Sequence, residues 1–264
     1  MFKQFFSLKY NPFEKSIPTS ALYESSDSTE LMGRLKYLLE TKGIGLVTGE
    51  PGSGKSTMIR KFADGLNPSF HRPCYIALTT LTVMDFYKSL AISLGETPAY
   101  KKISLFHQIQ EAINTSYYER KVTPVLILDE FHLASNSILE DISLLFNFDF
   151  DSKTPYVLIL MGQTALRNKL QLNIHLSLRQ RLSIKYSMSG MNAEETAGYL
   201  ESLLKSAGAP EQLFTSSASR QIHASTNGFP RAVNNLATTC LMIAATKKLH
   251  QVDEETVFLA QKEL

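Results

Sequence analysis

"GEPGSGKS", Gly49 to Ser56, decides how the rest of this chain is read. It matches G-x-x-x-x-G-K-[ST] at every fixed position, with Glu50, Pro51, Gly52 and Ser53 in the variable places. The residues before it, "GIGLVTG", read as a short buried strand. Those after it, "STMIRKFADGL", read as a helix. A glycine-rich turn between a strand and a helix lets backbone N–H groups curl around phosphate oxygens. The helix N-terminus adds its partial positive charge. Lys55 is then placed to reach β- and γ-phosphates and Ser56 to ligate Mg²⁺, so Gly49, Gly54 and the residues through Thr57 form the expected nucleotide cradle.

A second motif completes the first. "PVLILDE" is apolar on both faces, as a central parallel strand should be. Asp129 at its end is placed to hold Mg²⁺ through water. Glu130 lies just beyond, where a carboxylate polarises an attacking water. His132 extends the run to "DEFH" and reads as a packed or hydrogen-bonding histidine.

Working outward, "CYIALT", "PYVLILMG" and "RLSIKYSM" read as three further strands. Helices are expected over Ser28 to Gly43, with Gly43 closing the helix, Thr82 to Leu94, Ile103 to Arg120, Ser135 to Phe146, and "TALRNKL". Strands alternating with helices imply a five-stranded parallel sheet with helices on both faces, an α/β fold. Beyond Ser189 only helices are expected, the first capped by Asn192 with Glu195 and the third starting at Pro230. The expected organisation is an N-terminal segment over 1–30, in which Pro12 and Pro18 break any helix, an α/β core over 31–189, and a small helical lid over 190–264.

Hydrophobic residues make up 44% and charged residues 20% of the 264, with a net charge of +2. That is ordinary globular composition, and overall charge does not argue for nucleic acid; a basic surface must be local. Cys74 and Cys240 each sit in an apolar run and read as buried free thiols, which suits a reducing cytoplasm. No apolar run approaches the roughly 18 residues of a membrane span. The start, "MFKQFFSLKYNPF", lacks the small-residue cleavage site of a signal peptide. The expectation is a cytoplasmic protein with no membrane partner.

"STNGFPRAV" poses a question of its own. Asn227-Gly228 makes a turn and Pro230 fits the first helical position. Arg231 is then held at the positive end of a helix dipole, where a cation needs an anion facing it.

These motifs together resemble an AAA+ ATPase, a P-loop NTPase with a five-stranded core and a helical lid, over nearly the whole chain. The resemblance implies ATP and Mg²⁺. It makes Gln163, at the end of "LILMGQ", the sensor at the tip of the fourth strand, where asparagine is more usual. It makes Arg179 or Arg181 in "SLRQRLSIKY" the arginine that reaches a neighbouring subunit's γ-phosphate. It makes Arg231 the lid arginine, and the γ-phosphate its missing anion. "YNPF" and the following "YESSDSTELMGRL" resemble the opening of a subgroup that holds the ExeA-type ATPases and the transposition regulators TnsC and TniB, more distantly IstB and MuB. In that subgroup the segment borders the adenine pocket. Tyr10, Asn11, Pro12 and Phe13 then either pack on the base or anchor the N-terminus.

Two functions follow from the resemblance. The first is a DNA transposition regulator that oligomerises with ATP on double-stranded DNA as a ring or filament, with nucleotide at subunit interfaces. It marks a target, recruits a transposase, with or without a target-selection protein, and is released by hydrolysis. Sequence-independent phosphate contacts would come from Thr79, Thr80, Thr82, Lys101 and Lys102. The alternative is an ExeA-type secretion or envelope-assembly ATPase. That class carries a membrane span and a wall-binding module after the lid, and neither is seen in this sequence, which sets the expectation toward transposition.

Overall fold

The computed structural model describes residues 2–14, 22–77, 81–210 and 212–263. Thr79 and Thr80 lie outside the described residues. The chain divides into two compact units. One is Leu31–Pro51 with Met58–Met188; the other is Met1–Glu30, Gly52–Thr57 and Ser189–Leu264.

In the first unit β1 (Gly43–Gly49), β2 (His71–Ala77), β3 (Thr123–Asp129), β4 (Val157–Gly162) and β5 (Leu182–Met188) form one sheet. The order is β2-β3-β4-β1-β5, and every neighbouring pair is parallel. Successive side chains of a strand point to opposite faces, and the core follows that rule. Leu126, Leu128, Leu158 and Leu160 pack in one cluster with α4 (Val83–Ser93), α5 (Lys102–Asn114) and α6 (Asn136–Leu145). Val125, Ile127, Val157 and Ile159 pack in the other. There they meet Leu31, Leu35 and Leu38 of α2 (Ser26–Thr41) and Met58, Ile59 and Phe62 of α3 (Lys55–Asp64). Each fully buried aliphatic side chain is worth about 1.5–3 kcal/mol, so burial on two faces holds the three central strands. Because all strands run parallel, Gly49, Asp129 and Gly162 stand at the carboxyl ends of β1, β3 and β4, where ligands bind in open α/β sheets.

Several boundaries differ from expectation. The helix expected from Ser28 starts at Ser26, because the Ser25 hydroxyl accepts the Ser28 N–H at 3.2 Å and caps the first turn. Gly43 does not close that helix. Lys42 takes the left-handed position with φ 62°, and Gly43 is already the first residue of β1. The strand expected from Cys74 begins at His71; β2 is an edge strand, so Pro73 costs it no ladder bond that matters. A further helix, expected to run to Arg120, ends as α5 at Asn114 and continues as one π-helical stretch, Thr115–Glu119.

The second unit is helical: a single turn α1 (Phe2–Phe5) with α9 (Ala193–Ser206), α10 (Ser216–Thr226), α11 (Pro230–Lys247) and α12 (Glu254–Gln261). The expected face of α11, Val233, Leu236, Ala237, Cys240, Leu241 and Ala244, is buried throughout. Phe2, Phe6, Leu8 and Phe13 join the same core. Cys74 and Cys240 are both buried and free, and burial pushes the Cys240 thiol up to about 12.

One carboxylate in this unit caps two helix starts. Glu195 Oε2 accepts from the Asn192 N–H at 2.9 Å, and Asn192 Oδ1 accepts from the Glu195 N–H at 2.8 Å. Glu195 Oε1 accepts from the Ser26 N–H at 2.6 Å. Burial pushes the Glu195 carboxyl up, but the hydrogen bonds from Ser26 and Asn192 outweigh it and hold the carboxyl below its usual range. A depressed carboxyl stabilises the fold above its unfolded pKa and loses that contribution as pH falls through the folded value. Glu195→Ala is therefore expected to cost about 1–2 kcal/mol at neutral pH, the upper range of a lost cap. The gap from wild type should shrink in acid. Urea unfolding at pH 7 and pH 3 measures it; equal gaps at both would refute the capping role.

Candidate active site

β1 ends at Gly49 and α3 begins at Lys55, so the motif is the turn between them. Lys55, Ser56 and Thr57 carry the first N–H groups of α3, which a helix leaves without internal partners. Lys55 Nζ donates to Ser53 Oγ at 3.3 Å, and Ser53 is buried. Gly52 has φ +85°, and a Cβ there would lie 2.7 Å from Arg231 Cβ. Only glycine permits both that backbone and that approach. The Arg231 N–H donates to the Gly52 carbonyl at 3.2 Å.

Arg231 reaches the loop because of the turn before it. Asn227 ends α10 in the left-handed conformation, φ 49°. Gly228 follows with φ +68°, and a Cβ there would stand 1.9 Å from the Met191 carbonyl oxygen. The Met191 N–H donates to the Gly228 carbonyl at 3.1 Å. Pro230 then opens α11 at its first turn. The arginine flagged in the sequence thus stands at the phosphate loop and is exposed.

In the α/β unit, Asp129 is 5% exposed at the end of β3. Its Oδ1 accepts from the Glu130 N–H at 2.8 Å, and its Oδ2 from the Tyr75 hydroxyl at 2.9 Å. Burial first, then the hydrogen bond to Asp129 and the charges of Asp129 and Glu130, push the Tyr75 hydroxyl up to about 12. Glu130 is left-handed, φ 54° and ψ 30°. That conformation costs a non-glycine residue about 1–2 kcal/mol, and it turns the chain off the strand line into the short turn Phe131–Leu133. Phe131 is buried there. His132 Nδ1 lies 3.4 Å from Glu130 Oε2.

Gln163 occupies the N-cap position of α7 (Thr164–Leu170), and its side chain makes no capping bond. The next residue, Thr164, donates through Oγ1 to Glu50 Oε1 at 2.8 Å. The start of the phosphate loop is thereby tied to the start of α7. Among the described residues no group of three or more His, Cys, Asp or Glu could hold a metal. In the α/β unit the Asp129 carboxylate offers two oxygens at the end of β3. Those are hard oxygens, the kind Mg²⁺ takes one or two of alongside phosphate oxygens and water.

The two arginines before β5 have different partners. Arg181 donates through Nη1 to the Ser143 carbonyl at 2.7 Å and through Nη2 to the Phe146 carbonyl at 3.0 Å. It also pairs with Asp151. Its guanidinium closes the C-terminal end of α6, so this side chain is committed to the fold. Arg179, in α8 (Leu176–Gln180), donates to the Gln171 carbonyl at 3.0 Å.

Of the five expected DNA contacts, Thr79 and Thr80 lie outside the described residues, and two of the other three have partners within the chain. Lys102 pairs with the buried Asp141 at 2.8 Å. Thr82 caps α4, its hydroxyl accepting the Asp85 N–H at 3.2 Å and donating to Asp85 Oδ2 at 2.6 Å. Lys101 stands exposed at the N-cap of α5. Of the N-terminal group, Asn11 Oδ1 accepts the Phe13 N–H at 3.2 Å. Pro12 and Phe13 are buried, and Phe13 packs in the helical core, the anchoring alternative. Tyr10 donates to Ser206 Oγ at 3.0 Å. Sequence reasoning missed Tyr75 and Thr164: nothing in "HRPCYIA" or "QTALR" marks either residue as a partner of a motif carboxylate.

The AAA domain family model matches residues 38–170, half of the chain. The chain is 28% identical over 268 residues to general secretion pathway protein A of Aeromonas hydrophila, across 100% of this chain and 48% of that protein. It thus spans about half the length of that relative. Among solved structures it is similar to Cdc6p from Pyrobaculum aerophilum, with a TM-score of 0.70 and 18% identity over 96% of this chain and 70% of that one. The ORC1 protein of Aeropyrum pernix in complex with DNA matches at TM-score 0.64 and 15% identity, over 94% and 68%. The RuvB Holliday junction branch migration motor of Thermotoga maritima matches at 0.61 and 16%, over 97% and 74%. These likenesses are of fold. Among the described residues no helix is long and apolar enough to cross a membrane.

Proposed function

The chain belongs to the AAA domain family, and from that premise we propose that it is a nucleotide-driven switch of the general secretion pathway protein A type, in which lid position follows the state of the phosphate loop. As a member of the family it is an ATP hydrolase. The observation that carries the switch is the Arg231 N–H on the Gly52 carbonyl: the start of α11 rests on the loop that would hold the phosphates. The similarity to general secretion pathway protein A across the whole chain supports that type.

In this reading the N–H groups from Gly52 to Thr57 and Lys55 cradle the phosphates of ATP. Ser56 and Asp129 would hold Mg²⁺, which when bound neutralises charge developing on the phosphate oxygens. Glu130 takes a proton from the attacking water. Gln163, beside Thr164 and its bond to Glu50, orients that water. Arg231 pairs with the γ-phosphate and loses its anion after hydrolysis, which frees the lid. Arg179 acts on the ATP of a second copy, so the active form is a homo-oligomer, ring or filament.

The transposition-regulator reading keeps the same chemistry and adds DNA and a transposase. The resemblance of "YNPF" is to a subgroup that holds both kinds, and what supports the DNA reading is a fold shared with a protein solved on DNA. Glu130→Gln separates the two. The variant should bind ATP and turn over about 10²–10⁴-fold more slowly, accumulating an ATP-bound assembly. Particle size in ATP and ADP, with and without duplex DNA, at low and moderate salt, is the test. Assembly in ATP indifferent to DNA supports the secretion-type switch; assembly that needs DNA hands the function to the transposition reading. No change in size or lid between ATP and ADP overturns the switch itself.

A further inference from the structure

We propose that Tyr75 is a positioning residue for divalent-cation binding, its hydroxyl fixing the Asp129 carboxylate in the orientation that meets the ion. The proposal rests on the reading of Asp129 as the Mg²⁺ ligand. β2 and β3 pair in parallel with Tyr75 opposite Ile127 and Ala77 opposite Asp129. Residues opposite each other share a face, and so do residues two apart on one strand. Asp129 is therefore the diagonal neighbour of Tyr75 on the same face, at the separation a long aromatic side chain spans. The phenol reaches forward along the strands and its hydroxyl meets Oδ2 at 2.9 Å, while the Glu130 N–H meets Oδ1 at 2.8 Å.

A donor on each oxygen fixes the plane of the carboxylate as well as its position. Asp129 sits on a rigid central strand, and a buried carboxylate held in one orientation pays less ordering entropy when an ion arrives. A hydrogen-bonded partner behind a metal ligand typically carries about 10–100-fold in metal affinity. Tyr75 suits this role because the rest of its side chain does little else: it is 57% exposed on the edge strand. Losing the hydroxyl alone should leave the sheet intact.

The test uses the full chain with Mn²⁺ as the spectroscopically visible ion. Mn²⁺ binding in the presence of ADP is followed by electron paramagnetic resonance, and ADP binding in EDTA by calorimetry. Tyr75→Phe should weaken Mn²⁺ binding about tenfold and leave ion-free ADP affinity at the wild-type value. Unchanged or tighter Mn²⁺ binding overturns the proposal. So does loss of ion-free ADP binding, which would make Tyr75 a support of the fold. Asp129→Asn is measured alongside. If it leaves Mn²⁺ binding unchanged, the assignment of Asp129 itself falls, a failure distinct from that of Tyr75.

Discussion

Lys55→Ala will bind ATP about 10²–10⁴-fold more weakly than wild type, and its hydrolysis will be undetectable at ATP concentrations that saturate the native protein. The estimate comes from the bonds removed. A hydrogen bond to a charged group is worth about 1.5–3 kcal/mol, and a lysine at this position reaches two phosphates, so about 3–6 kcal/mol is lost. The structure narrows the alternatives. Lys55 is the first residue of α3, behind a loop in which Gly52 is forced to φ +85°. Its ammonium donates to the Ser53 hydroxyl within the loop at 3.3 Å. That bond lies at the long end of the range and is a weak one. Titration with a fluorescent ATP analogue and a thermal melt on one sample separate binding from folding. Wild-type affinity in the variant would overturn the phosphate-loop reading and every role built on it.

What the sequence made readable was what it encodes locally. The loop motif and the apolar run ending in Asp129-Glu130 each specify chemistry within eight residues. The period-2 alternation of "VLIL" splits cleanly between two cores. The capping pair Asn192 and Glu195, and the turn Asn227-Gly228 before Pro230, are equally local, and all are found as expected. Contacts set by register and tertiary packing were not readable. Tyr75 reaches Asp129 only because β2 pairs with β3 at one particular offset. Thr164 reaches Glu50 across 114 residues. Lys102 looks like a surface cation until Asp141, 39 residues on, is brought beneath it. Arg179 and Arg181 are indistinguishable as letters, and only the end of α6 tells them apart.

That difference yields the second large effect. Arg179→Ala should lower turnover by about 10³-fold or more, the scale of an arginine supplied to a phosphoryl-transfer site. It should leave ATP affinity in place and cost no more than about 1 kcal/mol of stability, that of the hydrogen bond to the Gln171 carbonyl. Arg181→Ala should act through the fold instead. It removes the donors that satisfy the Ser143 and Phe146 carbonyls at the end of α6, together with the pairing to Asp151. Removing charged donors from helix-end carbonyls is expected to cost about 2–3 kcal/mol, a loss of several degrees in melting temperature. Mixing decides whether Arg179 acts between copies. An Arg179→Ala subunit has an intact nucleotide site and no arginine to offer; a Lys55→Ala subunit has the arginine and no nucleotide. Neither turns over alone. If the arginine crosses the interface, a Lys55→Ala neighbour completes the site of an Arg179→Ala subunit, and turnover returns in the mixture. Loss smaller than about tenfold in Arg179→Ala would remove it from the catalytic set, since an arginine supplied to a phosphoryl-transfer site is worth about 10³–10⁵. A full loss with no recovery on mixing would keep Arg179 at the site and place it in the subunit's own catalytic set, acting in cis. The requirement for a second copy would then have to rest on another residue.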